Sequence, residues 1–546
     1  MESTQDQGDP QWSLRKSCAQ SLDNLSHIVG ADLLPVLLPL INKLLNHEDW
    51  SRRESAILAL GAVAGGCSAG IEKNLEQIFT YLLNLSRDQR ALIRRIACWT
   101  LSRYAEYFIK ADDKKYLQPL IICLLERMVD GNKKVQKAAC SAMVQIQDLS
   151  APSSKAAAFL DPILTKLVLC LGKYQQANMH TLYDCIAAVA KASGGRIGQS
   201  KYLEVLVPKL LRQWSTMESG NYGMFPLLEC LSSVALASGK GFQPYAKVIF
   251  PQCIKLIQAN LKTLKEQRKL GEEKLKWDSK KSNGYQRFEG ADSIICCVEL
   301  AGCIYRSCGH LSHQLADPAA ILRTLFECMN DENPNIRQSA MAWLGDITCV
   351  APHFIGSYFP DIVRAILRNL DPRYPCVCSN AAWAVGEAAV RLGPRGIRPF
   401  AEAIMRKLIP VIVNPRLDPN LLHNVAITIS RMGLVCPDDV CAHLEHFGKS
   451  WCQNLVGIDQ PREAEMAYRG LCNVVSKRPQ AMLSAGIFMA LCDTIASYST
   501  PSQELHRIMK NLLHSFRAML HNRWSELFGH CNPELRYHLA CVYDLH

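Results

Sequence analysis

Apolar residues recur three or four positions apart along almost the whole chain, which is the spacing of one face of an α-helix. Leu117, Leu120, Ile121, Leu124 and Leu125 form one such stretch. No convincing alternation of apolar and polar residues, the mark of a β-strand, interrupts the pattern. The sequence therefore predicts an all-α protein of consecutive helices from about residue 13 to about residue 543.

A short signature recurs where these helices are expected to turn. It consists of an aspartate, then a β-branched residue with a basic or amide residue after it, and then small and apolar residues at helical spacing. Copies begin at Asp88, Asp130 and Asp331, and a looser copy begins at Asp371. This signature is typical of HEAT repeats, in which the aspartate lies between the two helices of a hairpin. We expect an α-solenoid superhelix of antiparallel hairpins, a fold that mostly binds other molecules.

One segment departs from this rhythm. Residues 263–290 are charged and poor in apolar side chains, and much of the formal net charge of +11 lies between Lys262 and Lys281. Charged runs usually remain solvated, so we interpret the segment as a basic insertion. A regulatory loop and an RNA-binding segment are the weaker alternatives. The expected organisation is a polar lead at 1–11, repeats at 12–262, the insertion at 263–290 and repeats at 291–546.

The motifs of common catalytic and metal sites are missing from the sequence. It contains no G-x-x-x-x-G-K-[ST] loop, no H-E-x-x-H and no C-x-x-C pair. Most of the 24 cysteines fall on apolar helical faces, where a thiol packs as a small hydrophobic group. No continuous apolar window of membrane-spanning length is apparent, and no signal-peptide core opens the chain. We expect no enzymatic activity, no cofactor, no metal site, no disulfides and no membrane span.

Four segments are more specific than the repeat signature. They are Arg95–Tyr104, Leu182–Asp184, Phe225–Ser233 and Asn380–Glu387. Together they resemble the transportin family of karyopherin-β nuclear import receptors, and the similarity runs from about Trp12 to the C-terminus. The two tryptophan-containing segments are the most specific, because generic HEAT repeats do not require tryptophan there.

The resemblance covers the C-terminal, cargo-binding part of longer family members. It implies that the N-terminal arch, which holds most contacts with the GTPase Ran, is absent. The acidic loop that couples Ran binding to cargo release is also absent, and residues 1–11 are a candidate remnant of it.

The implied function is nuclear import by a monomeric receptor that shuttles between cytoplasm and nucleus. Its cargo would carry basic proline-tyrosine nuclear localisation signals, as many RNA-binding proteins do. Ran and nucleoporins are the further partners that the resemblance implies, without direct contact to nucleic acid or membrane.

The resemblance also places signal-binding residues on the second helix of successive hairpins, which we expect to line a concave, acidic groove. An apolar pocket would hold the Pro-Tyr pair, carboxylates would receive an arginine, and a second patch would take the N-terminal part of the signal. Lys191 departs from the family pattern, since an acid is expected there. The candidate residues are, in these three groups, Ala19, Asp23, Leu58, Ile96 and Trp99; Gln145, Asp148, Asp184, Glu229 and Ser232; and Ile295, Glu299, Gln338, Asp346, Trp383 and Ile427.

Periodicity alone leaves other interpretations open. Trp99 and Trp383 could equally be core residues, and Asp184 and Glu229 could pair with an arginine of a neighbouring repeat. An alternative function is a HEAT-repeat scaffold subunit that organises other proteins. A groove lined by carboxylates favours import, whereas a neutral or basic groove favours the scaffold.

Overall fold

The computed structural model describes residues 14–111, 113–151, 155–217, 223–277, 290–309 and 312–545. Within these ranges every regular element is a helix, so the predicted all-α class is confirmed. The chain forms two compact units, Met1–Gln243 and Pro244–His546. In each unit the helices form hairpins. The second helix of a hairpin packs on the second helices of its neighbours, and these helices are called the second layer below.

In the first unit the second layer consists of α1 (Leu14–Val29), α3 (Trp50–Ala62), α6 (Ala91–Arg103), α9 (Lys133–Ser150), α11 (Gln176–Ser193) and α13 (Met224–Ser238). The first layer consists of α2 (Leu34–Leu45), α5 (Leu75–Leu85), α8 (Gln118–Arg127), α10 (Leu160–Leu171) and α12 (Ser200–Ser215). The short helices α4 (Ser68–Ile71) and α7 (Ala105–Lys110) lie in connections.

The second unit begins with α14 (Gln243–Trp277), whose first residue still belongs to the first unit. Its second layer contains α15 (Ala291–Cys308), α18 (Pro334–Val350), the start of α21 (Pro375–Ile412), α22 (Pro419–Val435), α25 (Pro461–Lys477) and α27 (Gln503–Leu520). The remaining helices are α16 (Ser312–Leu315), α17 (Pro318–Met329), α19 (Pro352–Gly356), α20 (Phe359–Asn369), α23 (Pro437–Cys441), α24 (Leu444–Gln453), α26 (Ala485–Ser497), α28 (Trp524–Gly529) and α29 (Pro533–Tyr543). Gly393, at φ +67°, breaks α21 into the second helix of one hairpin and the first helix of the next.

The recurring aspartates act where the sequence predicts, in the turns. The side chain of each aspartate accepts a hydrogen bond from the backbone amide two residues later. The four bonds are Arg90 to Asp88 (2.7 Å), Asn132 to Asp130 (2.9 Å), Asn333 to Asp331 (2.8 Å) and Arg373 to Asp371 (3.0 Å). The basic or amide residue of the signature closes the same turn from the next helix. Arg94, Gln136 and Arg337 donate to the main-chain oxygens of Asp88, Asp130 and Asp331. Local turn chemistry therefore explains why the signature recurs.

The turns are also joined from one repeat to the next. The guanidinium of Arg94 donates two hydrogen bonds of 2.8 Å to the carboxylate of Asp130, one repeat further along. Arg268 forms the same bidentate contact with Asp331, at 3.0 and 2.8 Å. Both aspartates are buried. Charge-assisted, bidentate bonds of this kind fix the register between neighbouring hairpins.

We expect Asp130→Asn to lower the free energy of unfolding of the first unit by about 2 kcal/mol at pH 7, because hydrogen bonds to a charged group are lost. Burial alone would raise the pKa of Asp130. The hydrogen bonds from Arg94 and from the Asn132 amide outweigh burial and hold the pKa below its ordinary value. A carboxylate with a depressed pKa stabilises the fold above its unfolded pKa, and this stabilisation is lost as the pH falls through the folded pKa.

Urea unfolding at a series of pH values measures this effect. The difference between the wild-type chain and Asp130→Asn should be full at pH 7 and should shrink progressively below about pH 5. Asp161→Asn is the matched control, because its exposed ion pair with Lys201 contributes little. A difference that stays constant down to pH 3 would contradict the assignment.

The basic segment begins inside a helix. Residues 263–277 continue α14, and residues 278–289 lie outside the described residues. Besides Arg268, Lys265 pairs with Glu327 at 2.7 Å. The start of the segment is therefore bound to the following repeat, whereas the sequence led us to expect a solvated run.

One stretch, Leu14–Leu45, is long and apolar enough by composition to cross a membrane, which the sequence analysis did not anticipate. A turn at Gly30, with φ +67°, divides it into helices of 16 and 12 residues. Each is shorter than the roughly 20 residues that span a bilayer. Both helices pack on α3, so we interpret the stretch as part of the first hairpins.

Candidate functional site

The two tryptophans singled out by the sequence occupy equivalent places in the two units. Trp99 lies on α6 and its ring packs against Gly61 of α3. Trp383 lies on α21 and its ring packs against Gly345 of α18. A β-carbon on either glycine would collide with the indole, so glycine is what admits the ring. Both tryptophans are half-buried, and neither is a plain core residue.

The apolar neighbours of Trp99 contribute unequally to the accessible surface. Leu58, on α3, is partly exposed, as is Ala19 on α1. Ile96 is buried, so its side chain does not face solvent. Trp99 and Leu58 are therefore the predicted pocket residues that contribute accessible apolar surface at this end.

Asp23, predicted to bind the signal, already has partners within the fold. Its carboxylate accepts a hydrogen bond of 3.0 Å from Arg103 of α6, and the ring of His27 lies 3.8 Å away. Arg103 also donates to the main-chain oxygen of Gly61, beside Trp99. A ligand arginine would have to compete with Arg103 for this carboxylate.

A row of accessible polar side chains follows on the next three second-layer helices. Asp148 and Gln145 are exposed on α9, Asp184 is half-exposed on α11 and Glu229 is exposed on α13. Asp184 lies 3.1 Å from His180, an exposed side chain four residues earlier. Ser232 donates its hydroxyl to the main-chain oxygen of Leu228, within its own helix.

These carboxylates have no arginine partner among the described residues of the first unit, in contrast to the pairing that sequence periodicity left open. They offer acceptors for a basic peptide. Lys191, on α11, is exposed, so its positive charge is accessible at the position where the family pattern predicts an acid.

In the second unit the predicted patch is less uniform. Glu299 is exposed on α15 and accepts a hydrogen bond of 3.3 Å from Ser339, while Ile295 and Gln338 are partly exposed. Ile427 is buried. Asp346 is only 4% exposed, and Arg306 donates to both of its oxygens at 2.9 and 3.0 Å. Burial raises the pKa of Asp346, against the opposing hydrogen bond from Arg306.

One charged group near Trp383 was missed by sequence reasoning. Arg431 is buried on α22 and pairs with Glu387 of α21 at 2.9 Å and with Glu463 of α25 at 2.7 Å. Glu387 follows Trp383 by four residues and therefore lies on the same helical face. This spacing is the sequence feature that could have pointed to a charged group there. The network holds three second-layer helices together.

Metal chemistry finds no support in the described parts of the chain. No group of three or more histidine, cysteine or acidic side chains is arranged there to hold a metal ion. All 24 cysteines are free thiols and most are buried, as the pattern of apolar faces predicts.

We expect Gly345→Ala to displace the indole of Trp383 and to cost about 1–3 kcal/mol of stability, as overpacked sites do. Thermal unfolding and the tryptophan emission spectrum report the two effects. Gly356→Ala is the control, because the nearest atom to its β-carbon would be 3.6 Å away. An unchanged spectrum in Gly345→Ala would show that the ring does not depend on this glycine.

Fold and turn chemistry together define a HEAT-repeat α-solenoid, and a HEAT-like repeat family matches residues 50–104. The structure of yeast importin-β superposes with a TM-score of 0.73 at 12% identity, over 95% of this chain and 61% of that one. A crystal structure of importin-β in ammonium sulfate gives 0.58 at 13% identity, over 99% and 61%. At these identities the likeness concerns the fold.

The relatives in sequence are more specific. Human transportin-1 is 34% identical over 98% of this chain and 58% of its own length. Transportin of Dictyostelium discoideum is 34% identical over 97% and 55%, and importin subunit beta-2 of Schizosaccharomyces pombe is 32% identical over 98% and 57%. The chain is thus similar in sequence to transportins over nearly its whole length, and it spans less than three-fifths of the length of these relatives.

Proposed function

We propose that the chain is the cargo-binding part of a nuclear import receptor that recognises basic proline-tyrosine nuclear localisation signals. The observation that carries the proposal is the pair of half-buried tryptophans, at equivalent second-layer positions, in a chain homologous to transportin. An indole that packs on glycine and remains partly exposed offers a rigid apolar surface for proline and tyrosine. Such aromatic anchors commonly dominate the binding of extended peptides.

The carboxylates of the first unit would supply the electrostatic part of recognition. Asp148, Asp184 and Glu229 lie on three consecutive second-layer helices, each accessible to a ligand. They would bind an arginine of the signal and speed association with a basic segment. Asp23 and Asp346 are neutralised by Arg103 and Arg306. We therefore assign these two carboxylates a role in stabilising the fold and not in binding the signal directly.

The second-unit patch around Trp383 would bind the basic or hydrophobic N-terminal part of the signal. Here Glu299 and Gln338 are the accessible polar groups, and Ile295 adds apolar surface. A disordered signal loses conformational entropy on binding, so a few anchors must provide most of the free energy. Shuttling between cytoplasm and nucleus, and binding to Ran and nucleoporins, belong to the same proposal through the resemblance to the family.

Calorimetric titration with a synthetic proline-tyrosine signal peptide tests the proposal. We expect saturable binding that weakens at least tenfold when the Pro-Tyr pair of the peptide is replaced by two alanines. Raising the salt concentration should weaken it further, since the acidic row is exposed. Equal binding of both peptides would contradict the proposal and would favour the scaffold function. Adding Ran-GTP to the complex measures whether this chain alone suffices for Ran-driven release of the peptide.

A further inference from the structure

Away from the second layer, a groove in the first unit lies between the first-layer helices α10 and α12. The groove is open to solvent and has a volume of about 450 Å³. Lys166 and Lys173 line it from the side of α10, and Lys209 lines it from α12. Its apolar lining comes from Val168 and from Leu169, a residue that is 42% exposed.

The lysines of this groove are positioned by the repeat itself. The segments that begin at Phe159 and Tyr202 align in consecutive repeats, and Lys166 and Lys209 occupy the same place in them. In α5 and α8 the corresponding residues are Tyr81 and Cys123. Within this alignment, the facing pair of lysines therefore belongs to the hairpins of α10 and α12.

None of the three lysines forms an ion pair or hydrogen bond with any described residue. The acidic residues of the two helices, Asp161 and Glu204, lie towards the helix N-termini and do not line the groove, and Asp161 is paired with Lys201. The helix dipole accounts for Lys173, just beyond the C-terminus of α10. It does not account for Lys166 or Lys209, which lie in mid-helix and are half-buried.

We infer that this groove binds an acidic peptide segment of a partner protein, with an apolar side chain seated against Leu169 and carboxylates on the three ammonium groups. Charge complementarity selects the acidic partner, and the exposed leucine selects a peptide over a bare polyanion. Long lysine stems can bury apolar surface along the helices while their charged ends reach the ligand. The site is separate from the tryptophans and the acidic row on the second layer.

Fluorescence anisotropy with a labelled twelve-residue peptide, in which glutamates flank one leucine, tests the inference. We expect saturable binding to the full chain that the triple variant Lys166→Gln, Lys173→Gln and Lys209→Gln weakens at least tenfold. The matched control is Lys133→Gln, Lys134→Gln and Lys137→Gln, which removes three exposed charges from α9 and should change affinity less than twofold. Leu169→Ser should weaken binding about fivefold, as should leucine-to-serine replacement in the peptide.

Three outcomes would overturn the inference. One is the absence of saturable binding, and another is equal loss in the two triple variants, which would indicate only net charge. The third is binding of a single-stranded RNA oligonucleotide, lost in the groove variant, without binding of the peptide. Melting temperatures of all variants separate these outcomes from misfolding, because the substituted side chains are not fully buried. The proline-tyrosine peptide should bind the groove variant normally, so this test is independent of the import proposal.

Discussion

Arg268→Met is expected to lower the free energy of unfolding of the second unit by about 3–5 kcal/mol, the usual cost of removing one partner of a buried ion pair. The carboxylate of Asp331 is only 3% exposed and receives both of its side-chain hydrogen bonds from Arg268. Without the guanidinium, this charge stays buried with the backbone amide of Asn333 as its remaining donor. The turn that opens α18 should therefore lose much of its stability.

Native-state hydrogen exchange in α17 and α18 measures this loss locally. Lys269→Met is the matched control, since it removes one positive charge from the next residue, whose side chain is exposed. The control should leave exchange in α17 and α18 nearly unchanged. Equal exchange in the two variants would show that the basic segment is solvated, as its composition alone suggests.

Trp99→Ala combined with Trp383→Ala is expected to weaken binding of a proline-tyrosine signal peptide at least tenfold, about 1.4 kcal/mol or more. Each indole is held against a glycine of the preceding second-layer helix and remains partly exposed to solvent. Replacing both removes the two apolar anchors of the proposed site and leaves the acidic row in place. Residual binding should therefore be more sensitive to salt than binding to the wild-type chain.

Titration calorimetry on the double variant measures the loss. Trp50→Ala is the control, because Trp50 is also partly exposed but lies at the start of α3, under the guanidinium of Arg90. Circular dichroism at the same temperature establishes that the double variant is folded. A folded double variant with wild-type affinity would contradict the role of the indoles.

The hairpin fold could be predicted because its determinants are local. Helical spacing of apolar residues and the hydrogen bonds of Asp88, Asp130 and Asp331 each act within a few residues. A local pattern of this kind can be recognised in a single sequence without knowledge of the tertiary contacts. The division into two units after Gln243 was not predicted, because it depends on which helices pack together.

The ion-pair partners of the charged residues could not be predicted, because these partners lie far apart in the sequence. Asp23 finds Arg103 eighty positions away, and Arg268 finds Asp331 sixty-three positions away. These separations span one repeat or more, so the spacing of residues along a single helix does not reveal the contacts. The resemblance could nominate Asp23 and Asp346 as ligand-binding residues, but it could not show that Arg103 and Arg306 already neutralise them.

The glycines beneath the tryptophans were equally hidden. Gly61 and Gly345 are ordinary members of helical segments in the sequence, and only the packing of α3 on α6 and of α18 on α21 reveals their function. The candidate site is thus partly local and partly a product of packing. The positions of the indoles followed from the sequence, whereas their half-exposed setting required the structure.

Photo-crosslinking tests most directly whether the second layer binds the signal. A photoreactive amino acid in place of Gln145, exposed on α9, should crosslink to a proline-tyrosine signal peptide. The same substitution at Ile122, exposed on the first-layer helix α8 of the same hairpin, should not. Crosslinking from position 122 without crosslinking from position 145 would place the peptide on the other layer and would contradict the account.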